Sequence, residues 1–169
     1  MGVQRSIVLS SGPILKNPNT TLGILQVLNV DPRRSKDVIV QILDWSTCPP
    51  TELPKSANLC GEPVPSGTNS LRILSPSPPP SPPPFPILTP LFVTIPPVSR
   101  LDVLFPPPTP AIPADPIYEI RIFHPTDPIN LLVNAWGVNE LNIPQEGNTI
   151  LNRQFFPPVP LNLIPPNPV

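Results

Sequence analysis

Apolar and polar side chains alternate along several short runs of this chain, and prolines, glycines and asparagines separate the runs. In Ile117–His124 (IYEIRIFH), Tyr118, Ile120 and Ile122 share one face and Glu119 and Arg121 the other, the period of a half-buried antiparallel strand. After a turn at Pro125-Thr126-Asp127-Pro128, residues 129–138 (INLLVNAWGV) bring Ile129, Leu131, Val133 and Ala135 inward and leave Asn130 and Asn134 outward. Residues 100–105 (RLDVLF) put Leu101, Val103 and Phe105 on one face, and Leu91–Ile95 (LFVTI) and residues 70–74 are further short candidates. Residues 22–30 (LGILQVLNV) and 38–45 (VIVQILDW) read as a hairpin closed by the polar turn 31–36 (DPRRSK). Gly147-Asn148 is a turn signal before a last strand at residues 149–156 (TILNRQFF). About eight short strands with regular turn signals predict an all-β fold, an antiparallel sandwich or jelly roll.

Composition adds stiffness to that picture. Of 169 residues, 34 are proline. Each removes a backbone donor and fixes φ, so helix interiors are excluded and strands must fit between the prolines. The densest run, residues 76–86 (PSPPPSPPPFP) with Pro78, Pro79, Pro80, Pro82, Pro83 and Pro84, is expected as an extended surface spacer of roughly 34 Å, at about 3.1 Å per residue. A hydrophobic content of 39% is too high for a chain that stays solvated throughout, so a folded domain carries these segments. The predicted organisation is an N-terminal arm over residues 1–20, a sandwich over 21–156 with a proline-rich insertion at 75–116, and a proline-rich tail over 157–169. In the arm, Ile7, Val8 and Leu9 are β-prone and uncharged, and Gly12, Pro13 and Pro18 separate them from the first long strand. The arm is therefore expected to be free to leave its own domain and contact another subunit.

Charge and short motifs narrow the partners. The 10 basic and 11 acidic residues are scattered and leave a net charge of −1, which offers no electrostatic footprint for nucleic acid or an anionic membrane. The apolar stretch at residues 7–9 is too short for a signal-peptide core or a membrane span. Gly2 with Ser6 fits a loose myristoylation pattern, and Asn19-Thr20-Thr21 is a sequon that matters only on a eukaryotic secretory route.

His124 is the only histidine, so any Ser-His-Asp or Cys-His arrangement would have to form around it. No GxSxG elbow or cysteine signature accompanies it, and it reads as a strand-end residue; no catalytic residue and no enzymatic activity are expected. Cys48 and Cys60 lack the paired CxxC spacing of a zinc site; in an oxidising compartment they would close a small loop by a disulfide, and otherwise they stand as free thiols. Asp31, Asp37, Asp44, Asp102, Asp115 and Asp127 fall at turns and strand ends, where aspartate caps its own backbone, and no DxDxDG calcium loop is present. No metal or other cofactor is expected. Trp45 and Trp136 are expected in the core, with a carbohydrate-stacking platform as the other reading.

The runs VIVQILDWS at residues 38–46, IYEIRIFHP at 117–125, INLLVNAWG at 129–137 and EGNTILNRQF at 146–155 resemble small jelly-roll proteins of spore-forming Firmicutes, found among exosporium proteins and the subunits of endospore appendage fibres. That resemblance implies an N-terminal connector that reaches into a neighbouring subunit, subunits that add edge to edge, and a homopolymeric fibre outside the cell or on a spore surface. The arm at residues 1–20 takes the connector's place. It carries no cysteine, unlike appendage connectors, so covalent cross-linking of subunits is not implied. The function expected is thus a self-assembling structural subunit exchanging a strand or arm with its neighbours; the alternative is an adhesive, carbohydrate-binding sandwich using Trp45 and Trp136.

Overall fold

The computed structural model describes residues 7–65, 85–109, 116–124 and 130–155. Along these run β1 (Ile7–Ser10), β2 (Ile14–Leu15), β3 (Leu22–Asn29), β4 (Lys36–Asp44), β5 (Thr51–Glu52) and β6 (Ser56–Leu59). They are followed by β7 (Glu62–Pro63), β8 (Leu91–Ile95), β9 (Ser99–Phe105), β10 (Ile117–His124), β11 (Leu131–Val138) and β12 (Pro144–Ile150), and by a 3-10 turn at Asn152–Gln154. Two antiparallel sheets result. Sheet A runs β1–β10–β4–β5, with β2 beside β10 and β8 beside β4; sheet B runs β12–β11–β3–β9–β6–β7. The all-β sandwich is as expected, with twelve strands among the described residues instead of about eight. Three of the additions, β2, β5 and β7, are two residues long and too short to show an alternation.

The core lies between the sheets and is built by the alternation already visible in the chain. Sheet A contributes Val38, Val40, Ile42, Ile120 and Ile122, and sheet B contributes Leu25, Val27, Leu101, Val103 and Val133, all essentially without solvent contact. Phe105 of sheet B meets Tyr118 of sheet A edge to face, with ring centroids 5.6 Å apart. Burial pushes the Tyr118 hydroxyl up to about 12.

Three local expectations are corrected. Strands β3 and β4 do not form a hairpin: β3 pairs with β11 and β9 in sheet B, while β4 pairs with β10 and β8 in sheet A. The segment between them crosses from one sheet to the other because side chains hold it there. Asn29 Nδ2 donates to the carbonyls of Arg34 at 2.8 Å, Ile95 at 3.0 Å and Pro96 at 2.9 Å, and Asp31 Oδ1 accepts from the backbone N–H of Arg33 at 2.9 Å. Strands β10 and β11 likewise fall in different sheets. The last strand is at Pro144–Ile150, not 149–156, and Gly147 and Asn148 lie inside it. Gly147, at φ +79°, is where β12 departs from regular register with β11, so a turn residue here makes a bulge. The predicted strand at 70–74, the polyproline residues Pro78, Pro79, Pro80, Pro82, Pro83 and Pro84, and the tail at 157–169 lie outside the described residues. Within the insertion at 75–116, β8 and β9 are integral strands of the two sheets.

Candidate assembly surface

The N-terminal segment lies in its own chain's sheet. Ile7, Val8, Leu9 and Ser10 pair with His124, Phe123, Ile122 and Arg121 of β10, and Ile14 and Leu15 pair with Tyr118 and Ile117. Between these blocks the arm has three residues against two on β10, and Gly12 takes the extra bend at φ +66°. Ser11 repairs the ladder with both its groups: its N–H donates to Ile120 O at 3.0 Å and its hydroxyl accepts from Ile120 N–H at 3.0 Å.

Beyond the bulge the arm is stitched to the other sheet. Asn148 of β12, almost fully buried, accepts from Asn17 N–H at 3.0 Å and from the Thr20 hydroxyl at 2.8 Å, and its Nδ2 donates to Leu15 O at 2.8 Å. Residues 14–20 therefore tie the two sheets together, whereas β1 is held by its edge pairing, by Leu9 packed against the core and by one polar hub.

That hub is Glu119. Ser10 Oγ donates to its Oε1 at 2.6 Å, Trp45 Nε1 to its Oε2 at 2.8 Å, and Arg121 Nε and Nη2 to the two oxygens at 2.9 Å each. The Arg121 guanidinium also lies 5.8 Å from the centre of the Trp45 ring. Alternation along β10 assigns Glu119 to solvent, yet its side chain is only 8% exposed because three partners converge on it. Burial pushes its pKa up, but the bonds from Arg121, Ser10 and Trp45 outweigh that and hold the carboxyl below its ordinary value. No local pattern in the sequence links residues 10, 45 and 119.

Expected site residues fall in separate places. Trp45 is 42% exposed beside Glu119 on sheet A, and Trp136 is half-buried on the outer face of sheet B. Neither is in the core, where the aromatic volume comes from Phe105, Tyr118 and Phe155, and the two lie on different sheets. Cys48 and Cys60 are both free and exposed, and the Cys60 thiol is held below its ordinary value by hydrogen bonds with the Ser99 side chain and the Arg100 backbone. His124 is fully buried opposite Ile7. Asp31, Asp37, Asp44 and Asp102 bond to nearby backbone or side chains, and Asp115 and Asp127 lie outside the described residues. Among the described residues, no three His, Cys, Asp or Glu side chains converge as a metal site would require.

The edges of the two sheets differ in chemistry. In sheet B, edge strand β7 is Glu62-Pro63, and edge strand β12 carries Pro144, Glu146 and the bulge at Gly147; charge, proline and bulge all discourage a further strand. In sheet A, β1 (IVLS) and β8 (LFVTI) stand on opposite edges, contain no charge and no proline, and pair on one side only among the described residues. On the outer face an apolar row joins these edges: Val8, Phe123, Ile39 and Phe92 are successive cross-strand partners, and Phe92 is 64% exposed. No family model, curated protein or solved structure matches the chain.

Proposed function

We propose that this chain is a non-enzymatic structural subunit that self-assembles through sheet A, with β1 as the strand at which neighbouring copies meet. The contrast between individual edge strands carries the reading: sheet B's edge strands β7 and β12 hold the usual blunting devices, whereas β1 and β8 of sheet A hold none, the Gly12 bulge and the Glu52 charge of β5 lying outside them. The topology favours repetition. Strands β1, β10, β4 and β8 alternate in direction, so a copy placed beside another by translation presents its β1 antiparallel to the first copy's β8. In straight register Val8 meets Phe92 and Leu9 meets Leu91, and the apolar row continues from subunit to subunit. A heterologous contact of this kind does not close, and it makes a filament. Exchange of β1 onto a neighbour's β10 would use the same strand, with Ser11, Gly12 and Pro13 as the hinge. The location proposed, outside the cell or on a spore surface, rests on the resemblance of the strand sequences alone.

Deleting residues 2–10 tests this, because the cut stops before the stitched segment at 14–20. The expected product is a folded, soluble β monomer, while the full chain forms fibres visible by negative-stain microscopy. A full chain that stays monomeric at high concentration, or a truncated chain that forms the same fibres, would reject the reading.

A further inference from the structure

Independently of assembly, the outer face of sheet B has an ordered polar row. Asn134 of β11, Gln26 of β3, Asp102 of β9 and Asn58 of β6 are successive cross-strand partners, so four adjacent strands each contribute one hydrogen-bonding side chain. Neighbouring strands lie about 4.8 Å apart, which is close to the length of one pyranose ring in an extended chain. The next row along the strands is Trp136, Ile24, Leu104 and Ser56, and on the other side lie Leu132, Leu28 and Arg100. A polar line between two largely apolar lines suits a ligand with hydroxyls at its rim and C–H surfaces on its faces.

The single charge of the row, on Asp102, is balanced by Arg100 of the neighbouring line. Asp102 accepts from Gln26 Nε2 at 3.0 Å through one oxygen and pairs with Arg100 Nε at 2.8 Å through the other. Among the described residues the Gln26 side chain makes that one bond, and Asn134 Oδ1 accepts from Asn152 N–H at 3.1 Å, so toward these residues each amide keeps further donor and acceptor capacity. Trp136, half-buried and two residues from Asn134 on the same strand, supplies an indole against which a sugar face can rest.

From this juxtaposition we infer that the outer face of sheet B binds a neutral, extended, β-linked polysaccharide, one sugar per strand along the amide row. Trp45 takes no part, since it lies on sheet A with its N–H on Glu119. Sheets twist by roughly 20–25° per strand, so the row turns as it crosses the face. The ligand is therefore a single chain that can follow the turn, and not the flat face of a crystal.

The test is isothermal titration of the full chain with cellohexaose, chitohexaose and xylohexaose, repeated with Trp136→Ala, Asn58→Ala and, as a control on the opposite sheet, Trp45→Phe. Binding of at least one hexamer is expected, weakened tenfold or more by Trp136→Ala and by Asn58→Ala and unchanged by Trp45→Phe, with circular dichroism melts showing all three variants folded. Trimers should bind more weakly than hexamers, because they leave part of the row unused. No heat with any of the three hexamers would overturn the assignment. So would binding that survives both sheet B substitutions or that is lost with Trp45→Phe.

Discussion

Ser10 of the N-terminal strand donates its hydroxyl proton to Glu119 at 2.6 Å, across 109 positions of sequence, and so anchors the chain's first strand to a carboxylate buried by its partners. The folded Glu119 carboxyl lies below its ordinary value of 4.5, so its contribution to stability is fully present above that value and is lost as pH falls toward and through the folded value. Acid should therefore loosen β1 first. The exchange protection of the Leu9 amide, relative to its intrinsic rate, should fall below about pH 4.5 while amides of β3 stay protected, and Glu119→Gln should flatten that pH dependence. An equal fall in protection in both strands would mean that the hub does not govern the arm.

The stitch at Asn148 predicts a different response. Asn148→Ala removes an acceptor for Asn17 N–H and Thr20 Oγ1 and a donor for Leu15 O, leaving groups in and beside the sandwich without partners. A loss of roughly 3 kcal/mol is expected in urea unfolding, with new protease cleavage between residues 14 and 20. Cleavage confined to residues before 11 would show that the arm is held elsewhere.

Gly23 faces Phe105 at a distance that leaves no room for a methyl group, since a Cβ there would overlap the Phe105 ring. Gly23→Ala must displace a ring that is also packed on Tyr118, and should cost about 1–3 kcal/mol in thermal or urea unfolding. Gly23→Ala combined with Phe105→Leu should cost less than the two single changes added together, because the shorter side chain makes room for the methyl.

Lys55 is fully buried, with Nζ at 2.6 Å from Glu52 Oε1, 3.1 Å from Leu53 O and 3.0 Å from Thr89 O. Lys55→Met leaves the Glu52 carboxylate without its counter-ion and should destabilise by about 3–5 kcal/mol. Adding Glu52→Gln should recover part of that loss, with a coupling of about 1–3 kcal/mol in a double-mutant cycle measured by urea unfolding. Additive effects would mean that the pair does not act as a unit.

The alternation in Ile117–His124 and in residues 100–105 was enough to identify those strands and their buried faces, because period-2 burial is written locally: Ile120, Ile122, Leu101 and Val103 are all core residues. The abundance of proline likewise determined an all-β chain of short strands, since each proline acts on its own φ and its own N–H. Sheet membership was a different matter. Strands β3 and β4 carry the same kind of pattern and lie in different sheets, because Asn29 binds carbonyls that only the folded chain brings near, those of Ile95 and Pro96. Alternation distinguishes inward from outward positions but does not say what covers the outward ones. For this reason Glu119 became a buried hub, the two tryptophans left the core for different faces, and Gly147-Asn148 became part of a strand. The chemistry of the four edges could be read from composition as soon as the strands were ordered, but the order itself came from long-range pairing, which a one-dimensional pattern does not encode.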